Sequence, residues 1–297
     1  MAAVNSYWYH KTVSQMREFF ISKGFIEVCS QAQPSLLSCC DDPSTITTYS
    51  SSGEKWLLPQ TSQVILEREL LKNPDTPGFF SCSTSYRHEK NPIPGRHEHV
   101  FPIFEFETHG DMTVLQRLEE ELLVSLGFDT ERFLSGAYDI VAAEFDVKGI
   151  GSEVEEFIGK EKSSAFFLNT FPEMANPLWN IRRDGAYARK IDVILYGMET
   201  IDSAERSCNV GQMRESFYLQ NGGVYAQSLF DLFGRDRVEA ELERFLSLEF
   251  FPRCGGSIGV TRMIRALKLL EADERHGGVF VSRRGADGSV RRQRSLN

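Results

Sequence analysis

The sequence predicts a single α+β domain, in which helices flank a mainly antiparallel sheet. Three observations favour this fold class. The 297 residues are 41% hydrophobic and 25% charged, which is ordinary globular composition and enough to bury a sizeable core. Strand-like segments are separated by long, non-repeating stretches, which is typical of a mixed sheet dominated by antiparallel pairs. No internal repeat and no linker-like change of composition divides the chain.

The N-terminal part of the chain predicts a helix, a short strand and a second helix. Apolar side chains between positions 13 and 20 follow helical spacing, and Gly24 supplies a stop. Residues 25–28 are strand-like. Small hydroxyl side chains just before position 64 suit a helix N-terminus, so we expect the second helix over residues 64–71.

A hairpin pattern follows this helix. Residues 79–89 are rich in strand-forming side chains, and residues 90–98 form a polar loop with two prolines and a glycine. Residues 101–107 then alternate between aromatic and acidic side chains, which predicts a strand with one apolar and one acidic face. We expect a helix over residues 111–126.

The C-terminal half predicts two further strands and two helices. Residues 165–168 and 191–195 are short apolar runs typical of strands, and residues 237–251 follow amphipathic helical spacing. We expect the glycine-rich stretch 255–259 to be a turn that opens a helix over residues 260–270.

Composition excludes several classes of protein. No apolar run approaches the length of about 18 residues needed for a membrane span, and the N-terminus lacks the pattern of a signal peptide. We therefore expect a cytoplasmic protein with no membrane partner. The six cysteines show no zinc-binding or secreted-disulfide spacing, which favours reduced structural thiols over a catalytic cysteine.

The charge distribution separates the body of the chain from its end. The net charge is −9, and the last fifteen residues carry five arginines and one aspartate, which leaves −13 on the rest. Such an acidic body disfavours binding along a nucleic-acid backbone. We interpret residues 1–282 as one catalytic domain and residues 283–297 as a disordered basic tail, with a nucleic-acid or membrane tether as the alternative.

The first of three unusual charged clusters lies at the predicted hairpin. Arg87 and Glu89 are two residues apart near the end of a strand, so we expect both side chains on one face of the sheet. The loop that follows is rich in cations and imidazoles, which suits a polyphosphate. The simpler alternative is a cross-strand ion pair.

The second and third clusters lie far along the chain. Asp192, Glu199 and Arg206 are spaced by seven residues, and two carboxylates beside a phosphate site would suit Mg²⁺, which prefers hard oxygen ligands. The glycine-rich stretch precedes a helix with Arg262 in its first turn, where free N–H groups and a guanidinium favour an anion. Taken singly, the carboxylates could be solvated charges and the glycines a plain turn.

In combination, these segments resemble the signature motifs of class II aminoacyl-tRNA synthetases. Residues 85–89, the following loop and residues 101–107 resemble the second motif, and residues 254–263 resemble the third. The first helix and strand resemble the first motif, which forms the homodimer interface in that family. Residues 58–63 and 197–206 resemble the aspartyl and asparaginyl subgroup in particular.

Within this resemblance, the ammonia-dependent asparagine synthetases are the most similar group. Their Gly-Arg-His loop and acidic-aromatic strand are similar to residues 95–97 and 104–107. The subgroup's N-terminal anticodon-binding OB-fold has no counterpart, because the first motif begins close to Met1. The resemblance implies a class II synthetase-like fold, a homodimer, and an aspartate–ammonia ligase that uses ATP and Mg²⁺ and does not charge tRNA.

The resemblance also implies the residues of the ATP site. Arg87 would hold the α-phosphate and stabilise the charge that develops when a carboxylate attacks it, and Glu89 would accept a hydrogen bond from the adenine amino group. Phe101 and Arg262 would sandwich the adenine, and Arg262 and His97 would reach the γ-phosphate of a bent ATP. Arg87 and Arg262 are thus the expected catalytic residues.

For the metal and the amino acid, the resemblance implies a second group of residues. Asp192 and Glu199 would hold Mg²⁺. Arg206 would fix the substrate side chain, Gln63 would orient its ammonium group, and Ser203 is the third expected substrate-binding residue.

Two departures from the pattern affect the amino-acid half of the site. Leu66 stands where aspartate-activating relatives usually have a lysine, and residues 202–204 replace a glycine-rich floor. Two alternatives to the aspartate–ammonia ligase therefore remain open. One is a paralogue that passes an Asp, Asn or related adenylate to a tRNA, a protein lysine or a small amine. The other is a degenerate binding or regulatory protein.

Overall fold

A computed structural model describes residues 4–39, 43–175, 177–275, 281–284 and 290–293. Its helices are α1 (Ser6–Ser22), α2 (Gln63–Lys72), α3 (Met112–Ser125), α4 (Tyr138–Glu144), α5 (Ser152–Glu161), α6 (Val210–Leu219), α7 (Val224–Phe233), α8 (Arg235–Leu246) and α9 (Val260–Arg275). Its strands are β1 (Ile26–Glu27), β2 (Thr48–Ser51), β3 (Glu54–Leu57), β4 (Gly78–Tyr86), β5 (Val100–His109), β6 (Phe133–Ala137), β7 (Ala165–Pro172), β8 (Arg183–Asp184), β9 (Tyr187–Leu195), β10 (Met198–Glu205), β11 (Arg253–Gly259), β12 (Val281–Arg284) and β13 (Val290–Gln293).

One nine-stranded sheet organises the chain. Eight strands follow the order β1-β4-β5-β11-β10-β9-β7-β6, and β8 pairs with β9. Within the described residues, β1–β4 and β6–β7 are the parallel pairs of this sheet, and its other neighbours are antiparallel. The predicted fold class, a mainly antiparallel sheet flanked by helices, is therefore confirmed.

One face of the sheet is covered by α1, α3 and α9. Phe20 of α1 lies against Phe80 of β4 and Phe104 of β5, with ring centroids 5.9 and 5.3 Å apart. All three rings are buried. Burial of these aromatic surfaces fixes the first helix on the sheet, since each buried ring contributes several kcal/mol at roughly 25 cal/mol per Å².

The opposite face remains partly open. Side chains alternate along a strand, so Glu105 and Glu107 point away from the core that holds Phe104 and Phe106. Helix α2 covers this face at the β4 side, and α4 and α5 cover it at the β7 and β9 side. Helices α6, α7 and α8 form a separate layer around Trp179. A cavity is left between these covers.

Most elements expected from the sequence are present. The four helices expected over residues 13–20, 64–71, 111–126 and 260–270 correspond to α1, α2, α3 and α9. The expected strands correspond to β1, β4, β5, β7 and β9. The hairpin of β4 and β5 has the expected polar loop between its strands.

The helix expected over residues 237–251 is shorter than predicted. Helix α8 spans Arg235–Leu246 with Ser247 as its C-cap residue, and Pro252 disfavours helical backbone at Phe251, so the helix does not reach the predicted end. Phe251 instead stacks on His109 of β5, with ring centroids 4.7 Å apart.

The turn expected at residues 255–259 is also wrong, because these residues belong to strand β11. The strand lies between β5 and β10 and pairs with both. A Cβ atom on Gly255 would lie 2.1 Å from Oε2 of Glu107, and one on Gly256 would lie 2.5 Å from Cβ of Ser203. The glycines therefore allow side chains of the neighbouring strands to approach the backbone of β11 closely.

The predicted tail falls largely outside the described residues. Within it, β12 and β13 pair as antiparallel strands. Disorder of the whole segment 283–297 stays a prediction. Among the described residues, no helix has both the length and the apolar character that crossing a membrane requires.

The contact at Gly255 generates a test of the fold. Replacing Gly255 with Ala should lower the free energy of unfolding by more than about 2 kcal/mol, because the added Cβ would collide with the Glu107 carboxylate and with the backbone oxygen of Phe106. Urea unfolding measures this change. In Gly211→Ala, the new Cβ meets no atom closer than 3.5 Å, so this helix variant should equal or exceed the wild type. Equal stability of G255A and wild type would contradict the assigned packing.

Candidate active site

A cavity of about 440 Å³ opens on the uncovered face of the sheet. Strands β5, β9, β10 and β11 form its floor, while the β4–β5 loop and the first turn of α9 form one wall. All ten predicted site residues line this cavity, namely Gln63, Arg87, Glu89, His97, Phe101, Asp192, Glu199, Ser203, Arg206 and Arg262. The fold thus brings together the three clusters that the sequence keeps apart.

Arg87 and Glu89 enter the cavity from a loop, and this differs from the sequence prediction. Strand β4 ends at Tyr86, although the backbone N–H of Arg87 still donates to His99 at 2.8 Å. The Arg87 guanidinium lies 6.0 Å from the centroid of the Phe101 ring. An aromatic face and a fixed cation therefore stand side by side in this wall.

The β4–β5 loop is held against the rest of the domain. Arg96 donates to the Glu155 carboxylate at 2.5 Å, and the same carboxylate accepts from the backbone N–H of Glu199 at 2.8 Å. His97 accepts a hydrogen bond at Nδ1 from the backbone N–H of Ile93 at 3.3 Å. Arg96 thus orders the loop, and the His97 ring is turned by its own loop backbone.

Arg262 connects the helix α9 wall with strand β10. Its Nη1 donates to the backbone oxygen of Glu199 at 2.8 Å and lies 3.7 Å from the Glu199 carboxylate. A quarter of the side chain is exposed, so the guanidinium remains accessible from the cavity. Arg262 and Glu199 therefore form an ion pair.

Three carboxylates meet on the cavity floor. Oxygens of Asp192, Glu199 and Asp202 lie within 4.8 Å of one another. Burial raises the pKa of Asp192 and of Glu199, while the cations Lys190 and Arg262 oppose this shift. The hard oxygen donors fit Mg²⁺, but the ammonium group of Lys190 already contacts Asp192 and lies 3.0 Å from Asp202.

A polar network lies where α2 meets the floor. Gln63 donates to Ser257 at 2.9 Å, and the Ser257 hydroxyl donates to Glu105 at 3.0 Å. Thr61 and the backbone N–H of Ser62 also donate to the Glu105 carboxylate, at 2.5 and 2.7 Å. Burial raises the pKa of Glu105, and these three donors oppose the shift. The carboxylate orients the donors that face the cavity.

Arg206 takes part in a buried network of ion pairs. Its Nη2 donates to Glu107 at 3.1 Å, and its Nε lies 3.7 Å from Glu67. Arg253 donates to the other oxygen of Glu67 at 2.6 Å. Burial raises the pKa of Glu107, and the Arg206 guanidinium opposes that shift. Two buried guanidiniums are thus compensated by two buried carboxylates.

Arg206 nevertheless keeps one nitrogen for a ligand. Its hydrogen bonds to Glu107 use Nε and Nη2, and Nη1 donates to no atom of the described residues. Because Arg206 lines the cavity, Nη1 is the atom that would meet a substrate.

Ser203 reaches the cavity through its main chain. It lies on the same face of β10 as Ile201, which belongs to the helix-covered core. Its hydroxyl donates to the backbone oxygen of Ile191 at 3.2 Å. A role in substrate binding, as expected from the sequence, would therefore depend on backbone groups.

Sequence reasoning missed three residues that shape the cavity, namely Lys190, Glu105 and Ser257. Lys190 precedes Asp192 by two positions in a strand, and this spacing places both side chains on one face. The spacing could have identified Lys190. No comparable signal marks Glu105 as the acceptor for Thr61 and Ser257, because the Ser257 contact depends on the pairing of β5 with β11 and the Thr61 contact depends on the position of α2 over β5.

No protein-family model and no curated protein matches the sequence. Solved structures do match. The asparaginyl-tRNA synthetase of Pyrococcus horikoshii, complexed with asparaginyl-adenylate, superposes with a TM-score of 0.67 at 18% identity, over 89% of this chain and 65% of that one. The asparaginyl-tRNA synthetase of Entamoeba histolytica, also with asparaginyl-adenylate, gives 0.68 at 15% identity, over 88% and 63%.

The aspartyl-tRNA synthetase of Entamoeba histolytica gives a TM-score of 0.65 at 16% identity, over 89% of this chain and 55% of that one. The chain thus spans less than two thirds of each of these three structures. At such identities the likeness shows the fold, and the expected class II synthetase-like core is confirmed. The resemblance to asparagine synthetases stays a prediction.

A buried acid beneath the floor generates a pH test. Glu119 of α3 is buried next to Ser203, and burial raises its pKa from 4.5 to about 8. Between these values the folded protein keeps a proton that the unfolded chain releases, so stability falls as the pH rises, by at most about 1.4 kcal/mol per pH unit. Replacing Glu119 with Gln removes this loss.

Unfolding by urea at pH 5.5 and 7.5 measures the effect. The free energy of unfolding of E119Q minus that of wild type should rise by about 2 kcal/mol from pH 5.5 to pH 7.5. The control is Glu120→Gln, which alters a half-exposed neighbour on the same helix. A difference between E119Q and wild type that is the same at both pH values would refute the assignment.

Proposed function

We propose that this protein is a ligase that activates an amino-acid carboxylate with ATP. The supporting observation is the convergence of Arg87, Phe101, Arg262 and the Asp192–Glu199 pair in one cavity. A nucleoside triphosphate with its metal requires cations for its phosphates, an aromatic face for its base and acidic oxygens for the metal, and the cavity offers all three. The fold is shared with synthetases whose structures contain aminoacyl-adenylates.

The reaction has two displacements. A carboxylate oxygen attacks the α-phosphorus, the bond to the bridging oxygen breaks, and pyrophosphate leaves with the electron pair. An amine then attacks the acyl carbon, loses a proton and releases AMP. Positioning of the substrates and stabilisation of the developing charge would supply the rate acceleration, and no covalent protein nucleophile is required.

The chain's own groups would act on the nucleotide. Arg87 would donate to the α-phosphate oxygens as charge develops, with Phe101 and Arg262 on the two faces of the adenine. Glu89 would accept from its amino group, and His97 would reach the γ-phosphate. Asp192 and Glu199 would hold Mg²⁺, which neutralises phosphate charge when it is bound.

The specific reaction that we propose joins aspartate and ammonia to form asparagine. Nη1 of Arg206 would contact the substrate side chain, and Gln63 would orient its ammonium group. Ammonia is a small acceptor, so it needs only a narrow opening to reach the adenylate. The net charge of −13 on the body of the chain opposes the phosphate contacts that tRNA would need. We also propose a homodimer through α1 and β1, where Ile21 and Ile26 are exposed.

One observation favours a second candidate, in which the amino acid is asparagine. The charge of Arg206 is already compensated by Glu107 and Glu67, so the site has little net attraction for a side-chain carboxylate. A carboxamide would accept from Nη1 without bringing a further negative charge near these acids. The adenylate would then pass to another acceptor, such as a small amine.

Arg87 provides the test of nucleotide chemistry. Replacing Arg87 with Ala should lower kcat/KM for ATP–pyrophosphate exchange by about 10²–10³, because it removes a cation aimed at the developing charge. The exposed Arg244 of α8 supplies the control, and R244A should keep wild-type exchange. Thermal unfolding should show both variants folded. Full exchange activity in folded R87A would exclude the assigned role.

The substrates are identified by a second experiment. Exchange is measured with each of the twenty amino acids, and AMP release is then followed with ammonium or total tRNA as acceptor. We expect exchange with aspartate and stoichiometric asparagine with ammonium. We also expect loss of this product in Arg206→Met that thermal unfolding shows to be folded, since Nη1 no longer meets the side chain. Exchange with asparagine alone would establish the second candidate, and labelled tRNA without an ammonium-dependent product would overturn the proposed acceptor.

A further inference from the structure

Lys190 lies inside the three-carboxylate cluster of the cavity floor. Its ammonium group contacts Asp192 and lies 3.0 Å from Asp202, and it is 4.4 Å from the centroid of the Phe171 ring. Only 16% of the side chain is exposed. Two carboxylates and an aromatic face therefore fix this cation in one place.

The strand register explains why the lysine and the acids meet. In the β9–β10 pair, Asp192 stands opposite Asp202, and Lys190 stands opposite Ala204. All four side chains share the face that borders the cavity. The lysine side chain extends toward the pair of acids. Two acids directly opposite each other would otherwise repel.

The cluster has a different cation at each side. Arg262 lies 3.7 Å from the Glu199 carboxylate, toward the wall formed by α9. At the other side, Lys190 forms ion pairs with Asp192 and Asp202. Because the three carboxylates lie within 4.8 Å of one another, a cation placed between Asp192 and Asp202 excludes a second cation from the same position.

We propose that Lys190 is a tethered cation that occupies the Asp192–Asp202 side of the cluster in place of a divalent ion. A divalent ion is then restricted to the space between Asp192 and Glu199, where nucleotide phosphates must complete its coordination. This inference rests on the proposed function in so far as Asp192 and Glu199 are taken as metal ligands. It assigns to Lys190 a positioning role that the sequence motifs do not indicate.

The ammonium group is poorly placed for another role, recognition of a substrate carboxylate. It already contacts two carboxylates, so the local charge of the three groups is negative. A further carboxylate would be repelled there. Lys190 therefore does not replace the cation that Leu66 fails to provide.

Binding of Mn²⁺ without nucleotide tests the proposal directly. Free Mn²⁺ is measured by electron paramagnetic resonance during titration of the full-length chain. Lys190→Met should bind Mn²⁺ at least about tenfold more tightly than wild type, because a competing cation is removed from the acids. Lys190→Arg keeps the charge and should bind as the wild type does. Lys11→Met removes a lysine that pairs with Glu271 outside the cavity, and it should also match the wild type.

A second variant keeps the test decisive if K190M fails to fold. Lys190→Met combined with Asp202→Asn removes one cation and one acid together, so fewer uncompensated charges remain. This double variant should bind Mn²⁺ more tightly than Asp202→Asn alone. Unchanged or weaker Mn²⁺ binding in folded K190M, or in the double variant relative to D202N, would overturn the proposal. Tight binding by K190R would also overturn it.

The experiment separates this inference from the proposed function. Mn²⁺ binding is read without ATP or an amino acid, so it does not depend on catalysis. Tighter binding in K190M, together with no exchange in wild type for any amino acid, would support the tethered cation and refute the ligase. Exchange in wild type with unchanged Mn²⁺ binding in K190M would support the ligase and refute the tethered cation.

Discussion

The arrangement of the cavity depends on a buried network of ion pairs among Glu67, Glu107, Arg206 and Arg253. Glu67, Glu107 and Arg253 come from α2, β5 and β11, Arg206 directly follows β10, and none of the four is more than 2% exposed. Removing one member would leave an uncompensated buried charge, which typically costs 3–5 kcal/mol, or roughly a third of the stability of a domain. Gly255 leaves the space that the Glu107 carboxylate occupies. The network therefore fixes α2 over the sheet and sets one end of the cavity.

Charge compensation differs between the two ends of the cavity. At the end near α9, Arg262 keeps exposed surface and Arg87 stands beside the Phe101 ring, so cationic groups are available to an anion. At the other end, Arg206 and Lys190 each contact two acids. On the proposed function, a polyanion would bind at the first end and a small polar group at the second. This polarity gives a direction to any two-part substrate bound along the floor.

Several features could be predicted because they depend on local pattern. The aromatic-acidic alternation at residues 104–107 predicts the faces of β5, and the structure places Phe104 and Glu105 accordingly. The ten predicted site residues were chosen from charged clusters and from the resemblance of their motifs, and they line one cavity. Strand β11 was predicted as a turn because glycine usually marks turns, whereas here it permits contact with Glu107. That reason depends on a neighbouring strand distant in sequence.

The sequence by itself determined the fold class, most element positions and, through the resemblance of its motifs, ten of the residues that line the cavity, because periodicity and motif spacing are local properties of a chain. The tertiary structure alone decided which charges compensate one another. Lys190 contacts Asp202 because β9 pairs with β10 in one register, and Arg206 contacts Glu107 across Gly255. Partner choice depends on distances of a few ångströms between strands, and no spacing along a single strand specifies it.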